Sequence, residues 1–439
     1  MPMTAAPVIT RSRYRGRSWD PLIRPLAVAA LALCLLFNSR AVLAIDGVLI
    51  PNTVPLLLGL GAIAMAITVP RPETVIIPIA PTLLMLLLIA SVGWSADPDN
   101  AILWLRSDMI VAVGVAALVL ALPNRDVIAG LKLFVGVALA VTLLAVVVDP
   151  LARMHIDPTG EAPDLTGWHG WFIHKNTMAG FMVVALPTVM AFYRTRWARW
   201  TGYAVIVVLM IGSDSTTGRS ALVVVAAVRV WVAFNRRLSS RGSATFLVST
   251  IALVALAIIA AVSSLATLAD AAGKDLTFTG RTQIWSAVLN AWAERPILGY
   301  GIKGLFAVPL SSMSLQLMRE IGFKAGHAHS GPLDVGLQLG LVGLIAVIGV
   351  LVGIYRASIR ELRRSLSVPM FCLTVIVGIT IMSVGESALL GPNIAVFFIL
   401  RAMLLKTARA NDLAEVARLD ELRRGPQVVD ATVGPGPAR

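Results

Sequence analysis

The chain has 439 residues, of which 57% are hydrophobic and 14% are charged, and its mean hydropathy is +0.82. Soluble domains average about 25% charged residues, so this composition excludes an ordinary soluble protein and indicates an integral membrane protein. The net charge of +13 does not indicate nucleic acid binding. Most of the positive residues lie in short links between apolar segments, which is the orientation signal of membrane proteins.

Residues 1–22 are polar and basic and are not followed by a persuasive signal-peptide cleavage site. Apolar segments long enough to cross a bilayer core, which requires about 20 residues each, fill residues 23–406. These segments are apolar on all faces, whereas barrel strands alternate, so we predict an all-α membrane protein of about twelve transmembrane helices. The predicted spans are 23–44, 47–69, 74–93, 101–122, 127–148, 174–193, 199–213, 217–235, 245–268, 328–354, 367–386 and 391–406, of which the seventh and eighth are short and open to being broken or tilted.

Arginine-containing links recur after every second predicted span. By the positive-inside rule these links are cytoplasmic, and so are the N-terminus and the tail at 407–439. Within that tail, 407–424 predicts an amphipathic helix and the Pro- and Gly-rich 425–439 predicts disorder. The opposite side receives two long loops at 149–173 and 269–327, and loops of such length are usually functional.

The stretch before the sixth span reads GWHGWFIHKNTMAG. Lys175 could meet a phosphate, and Asn176 could orient a sugar hydroxyl. The alternative interpretation is an aromatic belt at the membrane interface with polar anchors.

Two arginines are also candidates. Arg219 follows a run of hydroxyl residues at the outer end of the eighth span, where an arginine usually faces a cavity or a partner; alternatively it reaches the outer headgroups. Arg281 precedes an apolar face formed by Ile284, Trp285, Val288, Leu289 and Trp292, which predicts a helix that ends near Pro296. An arginine at a helix N-terminus suits a diphosphate, although it could instead cap a surface loop or contact lipid.

His327 and His329 lie at the start of the tenth span. A zinc site would need further ligands at ligand spacing, and none is nearby in sequence, so we predict no metal. A histidine is suited to be a general base near neutral pH. The alternative is a histidine that caps the tenth span.

Four motifs together resemble the O-antigen ligase and polymerase superfamily. His329-Ser330, nine residues, Gly340, two residues and Gly343 resemble the ligase signature, and GRTQIW…RPILGYG resembles the upstream loop motif. SDSTTGRSA and GWHGWFIHKNTMAG are similar to the two other conserved stretches, although many relatives place the arginine directly after a serine. The resemblance covers roughly residues 90–350 and is nearest to the exopolysaccharide polymerases of the superfamily.

The resemblance implies a GT-C-type glycosyltransferase of the bacterial inner membrane. Its active site and the two long loops would be periplasmic, and the larger loop would contain interfacial helices. The enzyme would be inverting and metal-independent, without a cofactor, and would move a glycan from undecaprenyl diphosphate to an acceptor hydroxyl. His329 would be the base and Arg219 and Arg281 would bind the diphosphate. His327, Lys175, Asn176 and Ser330 would be weaker candidates for substrate binding.

Polymerisation of surface or exopolysaccharide repeat units is the leading prediction, and ligation of O-antigen to lipid A-core is the close alternative. The expected partners are the lipid-linked donor, a glycan or lipid A-core acceptor, the bilayer and other polysaccharide-assembly proteins. A transporter or flippase of lipid-linked glycans is the alternative of another class. It is disfavoured because the polar residues gather at outer loops, whereas a transporter places them near mid-bilayer.

Overall fold

The computed structural model describes residues 20–39, 53–69, 75–154, 167–235, 281–306, 311–322 and 325–424. These residues form helices joined by turns and loops, as the all-α prediction requires. In chain order the helices are α1 Asp20–Asn38, α2 Thr53–Thr68, α3 Ile79–Ser91, α4 Pro98–Ala121, α5 Asn124–Val148, α6 Lys175–Phe192, α7 Arg196–Ser213, α8 Thr216–Asn235, α9 Arg281–Glu294, α10 Ser312–Ile321, α11 Gly331–Glu361, α12 Ser367–Gly385 and α13 Asn393–Arg424.

Within these residues six helices are long and apolar enough to cross a membrane, namely α4, α5, α6, α8, α11 and α12. Three shorter apolar helices accompany them at Leu22–Asn38, Thr53–Thr68 and Ile79–Trp94. The total of about twelve spans and the GT-C type stay predictions, and the span predicted over 245–268 lies outside the described residues. The predicted seventh and eighth spans form the continuous helices α7 and α8.

Helix α12 packs against four other helices, α6, α8, α11 and α13. Gly378 makes this close packing possible, because a Cβ added there would lie 2.4 Å from Val183 in α6 and 3.0 Å from Val225 in α8. Small residues allow such close approach between membrane helices. The C-terminal end of α12 thereby delivers Glu386, the residue after its last turn, into the middle of the surrounding helices.

Helix α11 is interrupted at Gly340, whose φ and ψ are 62° and −158°. This backbone region is essentially restricted to glycine. In addition, a Cβ at this position would lie 2.2 Å from the carbonyl oxygen of Ile297. Gly340, part of the histidine-glycine signature, is therefore needed for the backbone of α11 to contact the segment 295–302.

The segment 295–302, which contains the RPILGYG motif, fills the interruption in α11. Three backbone hydrogen bonds join the two elements: Leu341 N–H to Pro296, Val342 N–H to Ile297 and Tyr300 N–H to Leu337. One further backbone hydrogen bond, from Ala96 N–H to the Tyr300 carbonyl, ties the same segment to the residues after α3. Two bonds with side chains do the same: Ile302 N–H to Ser91 Oγ and the Trp94 indole N–H to the Leu298 carbonyl. The segment thus supplies backbone partners that the interrupted helix cannot supply itself.

Two local predictions can be compared with the structure. Helix α9 begins at Arg281 and ends at Glu294, two residues before Pro296, as predicted. At the other end of the chain, residues 407–424 are helical and continue the last apolar helix as part of α13. They are not a separate element, because neither glycine nor proline interrupts residues 393–424.

We expect Gly340→Ala to destabilise the protein by about 3 kcal/mol or more, because it adds backbone strain to the clash with Ile297. Gly349→Ala in the same helix is the matched control, since a Cβ there meets nothing within 4 Å. The measurement is the thermal unfolding midpoint in detergent. Equal midpoints for the two variants would contradict the role of Gly340.

Candidate active site

A cavity of about 840 Å³ lies where α6 and α11 begin and α12 ends. Along α6 it is lined from His174 to Val184, which corresponds to a depth of about 15 Å at 1.5 Å per residue. Its polar wall contains His174, Asn176, Arg281, His327, His329 and Glu386. Its apolar wall contains Leu35, Phe134, Phe181, Val184, Ile379 and Met382. One cavity therefore offers charged groups at one end and hydrocarbon at the other.

His329 lies in the short loop before α11 and has a φ of 48°, a left-handed conformation that is uncommon for any residue but glycine. Its Nδ1 atom is buried and has no hydrogen-bond partner among the described residues. This atom lies 3.6 Å from Oε2 of Glu386. Catalytic hydrogen bonds are often long before substrate binds, so a small movement would join the imidazole to the carboxylate.

Glu386 brings three of the predicted candidates together. Its Oε1 atom accepts a hydrogen bond of 2.7 Å from the Asn176 amide and lies 3.5 Å from Nη2 of Arg281, while Oε2 faces His329. The side chain is only 10% exposed, so its charge is held among these partners rather than in water.

Glu386 is not among the residues predicted from the sequence. One signal could have found it: it is the only acidic residue between 362 and 411, and it stands at the end of a predicted span. An acidic residue in that setting is by default a functional candidate.

His327 and His174 hold the backbone of the residues that face Glu386. Nδ1 of His327 accepts the backbone N–H of His329 at 3.2 Å, and Nδ1 of His174 accepts that of Asn176 at 3.0 Å. Because these nitrogens are acceptors, a neutral imidazole at either position carries its proton on Nε2. His327 is thus a positioning residue for His329, against which its ring packs at 4.0 Å between centroids.

Burial, and after it the nearby positive charges with His329 first among them, lower the pKa of His327 from its ordinary value of 6.5 to about 3. The imidazole of His327 is therefore neutral at physiological pH. That state preserves the lone pair that receives the His329 N–H.

Arg281 is the first residue of α9, and its side chain lines the cavity beside Glu386. Its guanidinium also lies near the start of α8, because a Cβ added to Gly385 would be 3.2 Å from Nη1 of Arg281 and 2.9 Å from Oγ1 of Thr217. The backbone N–H groups of a helix start and a guanidinium are both suited to anionic oxygens. This arrangement can bind a phosphate group.

The other sequence candidates lie outside the residues that line the cavity. Arg219 pairs with Asp214 at 2.8 Å and also bonds the Ile211 carbonyl, on an exposed surface. Lys175 lies against Gly167 and begins α6. Ser330 is buried and precedes α11 without a side-chain cap. Binding roles for these three residues stay predictions.

His327, His329 and Glu386 could in principle hold a cation, since one ligand atom from each lies within 4.8 Å of the others. Ligand atoms around tetrahedral zinc are closer, at about 3.4 Å for bonds of about 2.1 Å. Arg281 also disfavours a metal ion, because it places a positive charge beside Glu386. The geometry fits an imidazole beside a carboxylate better than a metal centre.

Comparison with known proteins identifies a similar family. Residues 204–348 match the family described as O-Antigen ligase. The exopolysaccharide production protein ExoQ of Rhizobium meliloti (strain 1021) is 34% identical over 95 residues, which is 21% of this chain and 22% of that protein. The matched part of the curated relative is thus about a fifth of its length. The family match contains Arg281, His327 and His329 but neither Asn176 nor Glu386.

The titration of His327 predicts an acid-sensitive fold. Its folded-state pKa of about 3 is below the unfolded value of 6.5, so between these values the unfolded state binds more protons and stability falls as pH falls. We expect a loss on the order of 1–2 kcal/mol at pH 5 relative to pH 7. Unfolding midpoints at both pH values provide the measurement.

His327→Asn should reduce this acid loss, because an amide oxygen can accept the His329 N–H without titrating. His327→Ala removes both the acceptor and the titrating group. It should therefore be less stable than His327→Asn at either pH. If wild type and His327→Asn lost stability equally on acidification, the assignment to His327 would be wrong.

Proposed function

Since the comparisons support the O-antigen ligase and polymerase family, we propose that this chain is an inverting membrane glycosyltransferase that moves a glycan from undecaprenyl diphosphate to an acceptor sugar hydroxyl. The observation that carries the proposal is the convergence of His329 and Arg281 on Glu386 within one cavity. A base and a phosphate-binding cation are the two groups that this reaction requires. The reaction takes place at the periplasmic face of the inner membrane.

In the proposed reaction, His329 removes the proton of the acceptor hydroxyl. The oxygen attacks the anomeric carbon as the bond from that carbon to the diphosphate oxygen breaks, and attack from the opposite face inverts the anomeric centre. The proton ends on His329, whose new positive charge is stabilised by Glu386 at 3.6 Å from Nδ1. A carboxylate beside the imidazole also holds the proton on Nδ1, which leaves Nε2 as the basic atom.

The departing diphosphate gains negative charge as the bond breaks. Arg281 and the N–H groups at the start of α9 offer fixed positive charge to it, and such preorganised groups are an effective form of transition-state stabilisation. They supply the stabilisation without a metal ion. Arg219 would contribute a second cation if its pair with Asp214 opened.

The apolar wall of the cavity suits a lipid carrier. Leu35, Phe134 and Phe181 line the space beyond the polar groups, so a prenyl chain can lie against hydrocarbon while its diphosphate meets Arg281. The cavity volume of about 840 Å³ accommodates only the part of a long polyprenyl chain nearest the diphosphate. The remainder extends into the bilayer.

Two acceptors fit this chemistry, and each has one observation in its favour. The name of the curated relative, an exopolysaccharide production protein, favours a polymerase that joins lipid-linked repeat units. The family description, O-Antigen ligase, favours lipid A-core as the acceptor. We place polymerisation first because the ExoQ alignment is a direct similarity between two individual proteins.

The proposal is tested with purified protein in liposomes that contain lipid-linked repeat units alone. We expect chains longer than one repeat, and a loss of at least about 100-fold in rate for His329→Ala, the range ascribed to general base catalysis. His169→Gln is the control, since that histidine bonds the Leu151 and Phe172 carbonyls outside the cavity. Undiminished transfer by His329→Ala would refute the catalytic role. Products that form only when lipid A-core is added would identify a ligase.

We expect Glu386→Gln to lower the transfer rate by about 10- to 100-fold, because the neutral amide keeps the size of the side chain but no longer stabilises the charged imidazole. Its effect should be largest on kcat. The measurement is steady-state kinetics at pH 7 together with the unfolding midpoint. A variant with full activity would show that Glu386 has no role in the proton transfer.

A further inference from the structure

Helix α11 carries two buried polar side chains that the proposed reaction does not use. Asp334 is 6% exposed and Gln338 is 9% exposed, and both belong to a helix long and apolar enough to cross a membrane. A carboxylate in such a helix is costly to bury and usually marks a functional site.

Asp334 and Gln338 face the same cavity as His329. They are four residues apart, so their side chains lie one above the other on one face of α11, and both line the cavity. His329 belongs to the loop that leads directly into this helix. The three side chains therefore form one continuous wall that starts at the proposed base and continues along α11.

The hydrogen bonds of this pair leave a donor and acceptors available. Nε2 of Gln338 donates to Oδ2 of Asp334 at 2.9 Å, and Oε1 of Gln338 accepts the backbone N–H of Lys303 at 3.1 Å. The amide has a second N–H, and the carboxylate has further lone pairs beyond those used by Gln338 and by the Ala328 backbone. An adjacent donor and acceptor match a hydroxyl group, which can accept from one and donate to the other.

The charge of this wall favours a neutral ligand. Lys303, which lines the same cavity, interacts electrostatically with the Asp334 carboxylate. The wall and this lysine together thus have one positive and one negative charge. A diphosphate with two negative charges requires an excess of positive charge, whereas a sugar ring requires paired donors and acceptors. The wall is suited to sugar hydroxyls.

We propose that Asp334 and Gln338 form a subsite that binds the hydroxyl groups of the acceptor sugar ring and presents the reacting hydroxyl to His329. This inference rests on the proposed glycosyl transfer. We assign the pair to the acceptor because His329, the base that must contact the acceptor, lies on the same wall. Arg281 and Glu386 lie on other elements, at the start of α9 and the end of α12.

Asp334→Asn separates this role from a purely structural one. The asparagine oxygen can still accept from Gln338, so that hydrogen bond is retained, while the charge and one acceptor oxygen are lost. Thr374→Val is the matched control, since Thr374 is a buried polar residue of α12 that bonds the carbonyls of its own helix and does not line the cavity.

The experiment varies donor and acceptor separately with reconstituted protein. For Asp334→Asn we expect the acceptor KM to rise about 10-fold, while the donor KM and the unfolding midpoint stay at wild-type values. Thr374→Val should change neither KM. A rise in the donor KM alone, unchanged KM values, or a lower kcat accompanied by a lower unfolding midpoint would each overturn the acceptor subsite.

A binding measurement distinguishes failure of the subsite from failure of the proposed function. Calorimetry with the repeat-unit oligosaccharide, released from its lipid, needs no turnover. Binding to wild type that weakens about 10-fold in Asp334→Asn supports the subsite even if transfer is not observed. Equal affinity of the two proteins for the oligosaccharide overturns it even if His329→Ala abolishes transfer.

Discussion

The charge of Glu386 is the constraint on which the arrangement of the cavity depends. A carboxylate that is almost completely buried must be paired. One of its oxygens is held by Asn176 and Arg281, and the other faces His329. Three elements are thereby fixed relative to the end of α12. Two further histidines, His174 and His327, hold the backbone of two of these partners, so the site is built from charge pairing around one acid with imidazole acceptors as its supports.

Backbone hydrogen bonds of the segment 295–302 fix the second half of the cavity wall. The segment closes the interruption of α11 and holds the end of α3, so the wall that carries Asp334 and Gln338 is fixed by backbone hydrogen bonds as well as by side-chain packing. Glycines at 299, 301 and 340 make these approaches possible, each with positive φ. Rigid support of this kind is what a reaction needs when a base must lie within hydrogen-bond reach of its substrate.

Much of the fold could be predicted from the sequence, because long apolar segments directly reveal helices in a bilayer. Arg281, Asn176 and His329 could be selected by residue type and local motif, and the structure brings these three to one cavity. Glu386 could not be paired with His329, since the two are far apart in the chain and only the packing of α12 brings them together. The interruption at Gly340 could not be predicted because GLQLGLVGLI continues a helical apolar pattern. The hydrogen-bond partners of the interrupted backbone lie in another segment.

The interruption of α11 also bears on how this protein is assembled. The N–H groups of Leu341 and Val342 find their acceptors in Pro296 and Ile297, and unpaired backbone groups are strongly unfavourable in hydrocarbon. The acceptors precede α11 in the chain, and the end of α3 that anchors them precedes both. Because synthesis proceeds from the N-terminus, the receiving segment is already made when α11 leaves the ribosome. The order of the elements along the chain thus allows the interrupted helix to enter the membrane after its hydrogen-bond acceptors have been synthesised. A circular permutation that placed α11 first would lose that advantage.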